Sequence, residues 1–220
     1  MIEPKEIIRT SRKSIALVVN SEGELIIRAP HVVSKAEIMA FVEKKQGWLK
    51  KKCSAVKVFD EKHLSITMAD GDTVVFLGKD YMINISDVEE IQIDGSTIVI
   101  PVEGASKEIL INWLKEEALS LLKERTERYS QIMGVKPKEI KITEAKTRWG
   151  SCSHNDNVNF AWRLIMCPVS VIDYVVVHEL SHIKYKNHSR DFWIRVKTVF
   201  PNYKEQQEWL KINRKLMEII

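Results

Sequence analysis

The stretch VVVHELSHIKYKNHSRDFW, residues 175–193, constrains the fold most because it predicts a helix and a metal site together. Its HExxH string separates His178 and His182 by four positions. On a helix the two imidazoles lie about 40° apart around the axis and one turn along it, so both can reach one divalent ion. Glu179 can reach a water molecule on that ion without being a ligand. We expect Zn²⁺, because imidazole suits zinc and a catalytic zinc site uses three protein ligands plus water.

His188 is the best candidate for the third ligand. If the helix continued past His182, His188 would be turned about 120° away and carried roughly 9 Å along the axis. The helix must therefore end first, and we expect it to end at Asn187, since Asn tolerates the left-handed conformation. Ser189 is then the predicted N-cap of a new helix. The alternative for His188 is a surface histidine in a loop.

The helix that carries HExxH has a predicted start and an apolar side. Ser170, followed three residues later by Asp173, has the spacing of a capping box. The predicted buried positions are Ile172, Val175, Val176, Leu180 and Ile183. These features favour a metal site over the alternative that HExxH arises by chance on an ordinary amphipathic helix.

The length and cysteine content restrict the class of protein. At 220 residues the chain is one large domain or two small ones. No stretch approaches the ~20 apolar residues of a membrane helix, and residues 1–10 lack the apolar run of a secretory signal. Cys53, Cys152 and Cys167 are too widely spaced for a disulfide framework or a CxxC metal site. We therefore expect a cytoplasmic protein without a membrane partner.

The charge is mildly basic. A net charge of +4 permits weak attraction to nucleic acid without requiring it. One local cluster contains Lys44, Lys45, Lys50, Lys51 and Lys52. We favour the exposed face of a helix over a nucleic-acid site for this lysine cluster. The sequence does not indicate an oligomeric state.

The first half of the chain has the pattern of a β-rich module with a helix. Residues 11–19 and 23–29 read as two strands, and Ser34 with Glu37 predicts a capping box for a helix that continues to residue 53. Beyond residue 64, the strand candidates are TVVFLG, YMINI, IQI and TIVI.

The second half is richer in helices. A long amphipathic helix is predicted from residue 104 to about residue 133, where Gly134 ends it. We therefore place a domain boundary between 1–103 and 104–220. Strand-like runs at 139–147 and 157–166 precede the HExxH helix. A short helix from Ser189 and a final one from about Tyr203 follow. The predicted fold class is α+β.

The run TRWGSCS before the second strand has two interpretations. In the functional one, Arg148 or Trp149 lines the cleft, and Arg148 holds a carboxylate or stabilises an oxyanion. In the structural one, which we favour, Trp149 is core, Gly150 satisfies a bulge and Arg148 pairs with a buried acid. A nucleophilic Cys152 assisted by His154 is disfavoured, because adjacency in sequence does not make a dyad.

The remaining histidines and two tyrosines have weaker signals. His31, His63 and His154 lie in turn-like contexts and are expected at the surface. Tyr185 and Tyr203 are candidates for contacting a ligand or an oxyanion, and the sequence does not choose between them.

A three-histidine metal site with an open position supports amide hydrolysis without a covalent intermediate. Glu179 would accept the proton of the attacking water and deliver it to the leaving amine. If the second strand of the preceding hairpin forms a sheet edge, an extended polypeptide substrate could pair with it.

The motifs TRWGSCS and NFAWRLIMCPVSVIDYVVVHELSHIKYKNHSRDFW resemble the YgjP-like metallopeptidase family, over nearly the whole chain. They are more distantly similar to the SprT-like and WLM zinc proteases. The resemblance implies a zincin-like metallopeptidase domain after an N-terminal β-rich module. It also implies His178, His182 and His188 as zinc ligands and Glu179 as the catalytic base.

Two other zincin families fit less well. Metzincins place a glycine where this chain has Tyr185 and need a Met-turn, whereas the later methionine is Met217 in the terminal helix. Gluzincins use a later glutamate as third ligand, so Glu205 and Glu208 remain alternatives to His188.

Two rival functions follow from the same residues. The first is a zinc-stabilised binding or regulatory module with little turnover, which the intact Glu179 disfavours. The second is a nucleic-acid-dependent protease of the SprT or WLM type, for which the lysine cluster is the sequence support.

Overall fold

The structure is a computed structural model that describes residues 2–20, 23–56 and 67–218. The chain divides into two compact units: Met1–Asp60 with Lys211–Lys215, and Glu61–Leu210 with Leu216–Ile220. Helices and small sheets occur in separate segments, which confirms the α+β class. The domain boundary predicted at residue 104 stays a prediction, although compactness groups the strands before it with the second unit.

The first unit contains a three-stranded sheet and two helices. The strands are β1 (Pro4–Thr10), β2 (Ala16–Val19) and β3 (Leu25–Pro30), in the order β1-β3-β2. Parallel pairing of β1 with β3 was not predicted, because the charged run PKEIIRT has no clear alternation. The core consists of Leu25, Ile27, Ala29, Ile38, Val42 and Leu49.

The predicted helix of the first unit is two helices. Helix α1 (Lys35–Lys44) begins at Ser34, and the predicted capping box with Glu37 is confirmed. Helix α2 (Gln46–Val56) follows directly. The side chain of Gln46 bonds to both backbone groups of Ile2, at 3.0 and 3.2 Å. Such a contact, 44 positions away along the chain, is invisible to local sequence patterns.

The second unit begins with a four-stranded sheet and a long helix. The sheet contains β4 (Thr73–Phe76), β5 (Lys79–Ser86), β6 (Gln92–Asp94) and β7 (Thr97–Pro101), in the order β4-β5-β7-β6. All four strands were predicted. The long helix α3 (Lys107–Met133) begins at Ser106, whose hydroxyl accepts the Ile109 N–H, and ends at Gly134 with φ 60°. A positive φ favours glycine at that position.

A second sheet of this unit contains β8 (Glu139–Thr143), β9 (Gly150–Cys152) and β10 (Asn157–Ala161), in the order β8-β10-β9. The predicted strand over 157–166 is too long, because Trp162–Met166 is a buried 3₁₀ turn. The prediction that the second strand of the hairpin forms the sheet edge is wrong. Strand β10 is central, and β9 is the edge beside the next helix.

Three helices follow, and the chain from Lys211, near the end of the last helix, to Lys215 groups with the first unit. They are α4 (Val169–Lys184), α5 (Arg190–Val199) and α6 (Tyr203–Ile212), and a 3₁₀ turn Arg214–Met217 follows. The capping box predicted at Ser170 is wrong, because α4 begins after Pro168. Asp173 instead faces α3, where its carboxylate lies 3.7 Å from Arg125 Nε. Among the described helices, none is both long and apolar enough to cross a membrane.

Candidate metal centre

Three histidine side chains converge on one point. His178 and His182 extend from one face of α4, and His188 comes from the loop after it. One nitrogen from each ring lies within 4.8 Å of the others. The Nε2 atoms of His178 and His188 are 3.0 Å apart. Within the described ranges, these three residues form the group of His, Cys, Asp or Glu side chains that could hold a metal ion.

The chain brings His188 back towards α4 by ending that helix early. Helix α4 ends at Lys184, and Tyr185 has an extended backbone with φ −125° and ψ 97°. Asn187 was predicted to end the helix in the left-handed conformation; this is wrong, since its φ is not positive. Ser189 begins α5 as predicted, and its hydroxyl accepts the Phe192 N–H at 3.4 Å. The extended backbone at Tyr185 therefore ends the helix and turns the chain, which is the role that was predicted for a left-handed Asn187.

A lysine attaches this loop to the β9–β10 turn. Lys186 Nζ donates to the Ser153 carbonyl at 3.0 Å and to the Asp156 carboxylate. Asp156 itself has φ 61°, in the left-handed region that Asp tolerates. The loop that carries His188 is therefore held at both ends, by α5 and by this turn.

Hydrogen bonds orient two of the imidazoles. His182 Nδ1 lies 3.0 Å from the Tyr185 carbonyl, which can only accept, so Nδ1 carries the proton and Nε2 is left as a donor atom for a metal. His178 Nδ1 lies 3.4 Å from the Tyr174 hydroxyl, which leaves its Nε2 beside His188. These contacts are the usual outer partners of metal-binding histidines.

Aromatic rings pack around the histidines. Phe192 contacts all three imidazoles, with ring centroids 4.9, 4.5 and 4.8 Å from His178, His182 and His188. Trp193 stacks on His188 at 5.6 Å and 24°. These contacts of Phe192 and Trp193 were not predicted; the one signal in the sequence is their position in the first turn of α5, directly after His188.

A column of stacked rings extends from His188 towards His178. Tyr203 stacks on Trp193 at 5.3 Å, and Tyr174 stacks on Tyr203 at 6.4 Å. Because the Tyr174 hydroxyl contacts His178, the column connects two of the three histidines. Tyr203 therefore lies behind the histidines and supports His188 and His178 through the neighbouring rings.

The protonation states suit metal binding. Burial, with the two neighbouring imidazoles, lowers the pKa of His178 to about 3. Burial also lowers the pKa of His182, although its bond to Tyr185 opposes this. Both rings are therefore neutral near pH 7, the form in which imidazole binds a metal.

Glu179 lies in the adjacent position on α4. Its side chain is 5% exposed. Burial raises the pKa of this carboxyl to about 8, and the Arg148 guanidinium opposes the shift. A carboxyl with a pKa near neutrality can both accept and return a proton at physiological pH.

A cavity of about 150 Å³ opens beside these groups. Its lining consists of Trp149, Gly150, Tyr174, Val175, His178, Glu179 and Leu210. Trp149 is half-buried and faces this cavity, which differs from the core position that we favoured. Arg148 is exposed, and its electrostatic partner is the buried Glu179. The pairing of β9 with β10 shows no bulge at Gly150.

Other candidate residues lie elsewhere. The Tyr185 side chain lines a separate groove between the ends of α3 and α5. His31 and His154 are exposed, as expected, and His63 lies outside the described residues. Burial raises the pKa of the Cys152 thiol, which does not suit a nucleophile.

The donor set fits a transition metal. Three imidazole nitrogens and no carboxylate suit zinc, copper, iron or nickel better than magnesium or calcium. Neither Glu205 nor Glu208 belongs to the group, so the described structure offers no support for a glutamate ligand. Three protein donors leave a coordination position open, which is typical of catalytic sites.

Comparison with known proteins assigns the family. The YgjP-like metallopeptidase domain matches residues 13–213. The crystal structure of the metallopeptidase zymogen of Pyrococcus abyssi abylysin is 24% identical, and the similarity covers 40% of this chain and 89% of that one with a TM-score of 0.37. No curated protein matches the chain. The chain belongs to the YgjP-like family and is a metallopeptidase, a hydrolase that acts on polypeptides with a metal ion.

Proposed function

We propose that this metallopeptidase is zinc-dependent, with His178, His182 and His188 as ligands and Glu179 as the general base. The observation that carries the proposal is the convergence of three imidazole nitrogens beside a buried carboxyl. Zinc bound there would polarise the scissile carbonyl and make water nucleophilic near neutral pH.

Glu179 supplies the proton transfers. Its carboxylate takes a proton from the attacking water and then donates it to the nitrogen of the leaving amine, so the bond to nitrogen breaks as the amine is protonated. Burial makes the carboxylate a stronger base, and Arg148 keeps part of the population ionised. Neither step needs a covalent intermediate on the protein.

Hydrogen bonds orient two of the proposed ligands and fix the tautomer of one of them, His182. The Tyr185 carbonyl holds the proton of His182 on Nδ1, and the Tyr174 hydroxyl contacts Nδ1 of His178. Orientation of this kind reduces the entropy lost when the metal and the substrate bind.

The edge of β9 supports binding of an extended polypeptide. The Ser153 N–H donates to Asn157, and the Trp149 carbonyl accepts from Ala161, both at 2.8 Å. In antiparallel pairs, residues that exchange such bonds alternate with residues whose backbone groups point the other way. The backbone N–H and C=O groups of Gly150 and Cys152 therefore face the unpaired edge of β9. A substrate strand that pairs there would pass beside Glu179.

Two further parts of the proposal rest on sequence. A cytoplasmic location is expected from the composition. Dependence of the protease activity on nucleic acid is the alternative function, and the lysine cluster supports it. Lys44 at the end of α1, Lys45 between the two helices and Lys50 in α2 are exposed, whereas the side chains of Lys51 and Lys52 lie outside the described residues. The oligomeric state is not part of the proposal.

The test is cleavage of an unstructured protein by zinc-loaded enzyme, beside Glu179→Gln, with and without single-stranded DNA. The variant keeps all three histidines, so it should retain zinc and lose cleavage. If both proteins hold zinc and neither cuts in either condition, the zinc-binding module becomes the better interpretation. Cleavage only in the presence of DNA would favour the nucleic-acid-dependent protease.

A further inference from the structure

Gly150, the first residue of the edge strand β9, has no conformational need to be glycine. Among the described glycines, six have a positive φ, and Gly150 is not one of them. Its pairing with Phe160 continues the regular register of β9 and β10, without a bulge. An ordinary residue could therefore adopt this backbone. The reason for glycine must lie in what surrounds it.

The space above Gly150 is filled by Glu179. A Cβ atom built on Gly150 would lie 2.8 Å from both Cγ and Oε1 of Glu179, and 3.0 Å from its Cδ. Contacts below 3.0 Å force a displacement, because carbon atoms at optimal separation lie about 3.5–4.0 Å apart. Either the strand or the carboxyl would have to move. Glu179 is 5% exposed, and the free space beside it is the cavity of about 150 Å³ that it lines with His178, so a displaced carboxyl would shift into that cavity.

We propose that Gly150 is a positioning residue for the catalytic carboxyl. Its missing side chain reserves the volume in which the Glu179 carboxyl lies, next to His178. A methyl group at this position displaces Oε1 from the place where it meets the attacking water. This gives the TRWGSCS run a function that was not predicted from the sequence. Its glycine, Gly150, brings a strand position that has no side chain against the Glu179 carboxyl.

The catalytic part of this inference rests on the proposed role of Glu179, whereas the steric part does not. A double-mutant cycle in metal-free protein isolates the steric part. Gly150→Ala is measured by urea unfolding in two backgrounds, wild type and Glu179→Ala. The second background lacks Cγ, Cδ and both oxygens, which are the atoms that the new methyl group would meet.

The expected result is a lower urea midpoint for Gly150→Ala in the wild-type background and no loss in the Glu179→Ala background. Gly47→Ala is the control without a steric contact, because nothing lies within 4 Å of a Cβ atom built on Gly47. Gly47 lies in helix α2, where alanine is more favourable than glycine, so this variant should not lower the urea midpoint. If Gly150→Ala lowered the urea midpoint equally in both backgrounds, or in neither, the proposed steric contact between residue 150 and Glu179 would be wrong.

Activity then tests the positioning role. Zinc-loaded Gly150→Ala should retain its zinc and lose about 100-fold in kcat, the size of effect that follows a displacement of about 1 Å. The KM should change little, because the new methyl group points at Glu179 and away from the backbone edge. An unchanged kcat, or a loss that lies entirely in KM, would contradict the role. If the wild-type protein does not cleave, the proposed function is wrong. The unfolding cycle still shows whether a side chain at position 150 would clash with Glu179.

Discussion

The Nε2 atom of His188 lies 3.0 Å from the Nε2 atom of His178, although His188 belongs to no helix and follows the end of α4. Two ring nitrogens at this distance can share a single proton, or both can bind one cation. The histidine contributed by the loop is therefore as close to the centre as the two contributed by the helix. We therefore expect the affinity for a metal ion to depend on the integrity of this loop.

Replacement of His188 tests the third ligand. His188→Ala should weaken zinc binding by about 100-fold or more, since even the loss of an outer partner of a ligand reduces affinity 10–100-fold. The measurement is competition with a chelating dye. His154→Ala is the control, because His154 is exposed on the β9–β10 turn and outside the cluster. Equal affinity of the two variants would remove His188 from the ligand set.

The stacked aromatic column predicts an effect of a residue that contacts no metal. Tyr203→Leu removes the ring that lies between Trp193 and Tyr174, so both supported histidines gain freedom. Zinc affinity should fall about tenfold. Tyr203→Phe keeps the ring and should bind zinc as wild type does. A similar loss in both variants would indicate that the hydroxyl matters, and no loss in either would show that the column is not a support.

The raised pKa of Glu179 predicts how the stability of metal-free protein depends on pH. The folded state holds the proton up to about pH 8, whereas an unfolded chain releases it at about pH 4.3. The stabilisation from the protonated carboxyl is complete below about pH 4.3 and is lost as the pH rises to about 8. Glu179→Gln has no proton to lose, so it should gain about 2 kcal/mol relative to wild type between pH 6 and pH 8.

Urea unfolding with a chelator at the two pH values measures this difference. Glu116→Gln, at an exposed position of α3, is the control and should show a difference from wild type that does not change with pH. A constant difference for Glu179→Gln as well would show that the carboxyl is ionised in the folded protein at both pH values.

The unpaired edge of β9 predicts a separation between substrate binding and chemistry. Cys152→Pro removes one backbone N–H that faces this edge, and edge strands tolerate proline at such positions. The KM for a peptide should rise about tenfold, the equivalent of one lost hydrogen bond, with kcat little changed.

Cys152→Ala keeps the N–H and should behave as wild type in steady-state kinetics. An inactive alanine variant that still holds zinc would revive the disfavoured nucleophilic cysteine. Equal KM values for the proline and alanine variants would show that the substrate does not pair with this edge.

Local signals in the sequence were sufficient for several elements. The Ser34 capping box, the stop of α3 at Gly134 and the N-cap Ser189 were predicted, because each depends on side chains and backbone within four residues of one another. Where distant residues decide, prediction failed. Ser170 has the spacing of a cap, but its predicted partner Asp173 faces Arg125 of α3 instead.

The order of strands in the β8-β10-β9 sheet could not be predicted from the sequence, because it also depends on contacts between distant residues. The hairpin formed by β9 and β10 was expected from its turn, but strand β8 pairs in parallel with β10 and makes it central. Strand β9 therefore lies at the edge of the sheet. Parallel pairing joins segments that are distant in the sequence, and no local pattern shows which side of a strand will be occupied.

The sequence by itself determined that His178 and His182 lie on one face of α4, because a helix places residues four apart on one face wherever it occurs, and that Glu179 directly follows the first of them. Only the tertiary structure decided the rest. It placed Gly150 against Glu179 and stacked Tyr203 between Trp193 and Tyr174, behind the histidines. These contacts join residues from different elements, and their distances depend on how sheets and helices pack, which the spacing of residues along the chain does not specify.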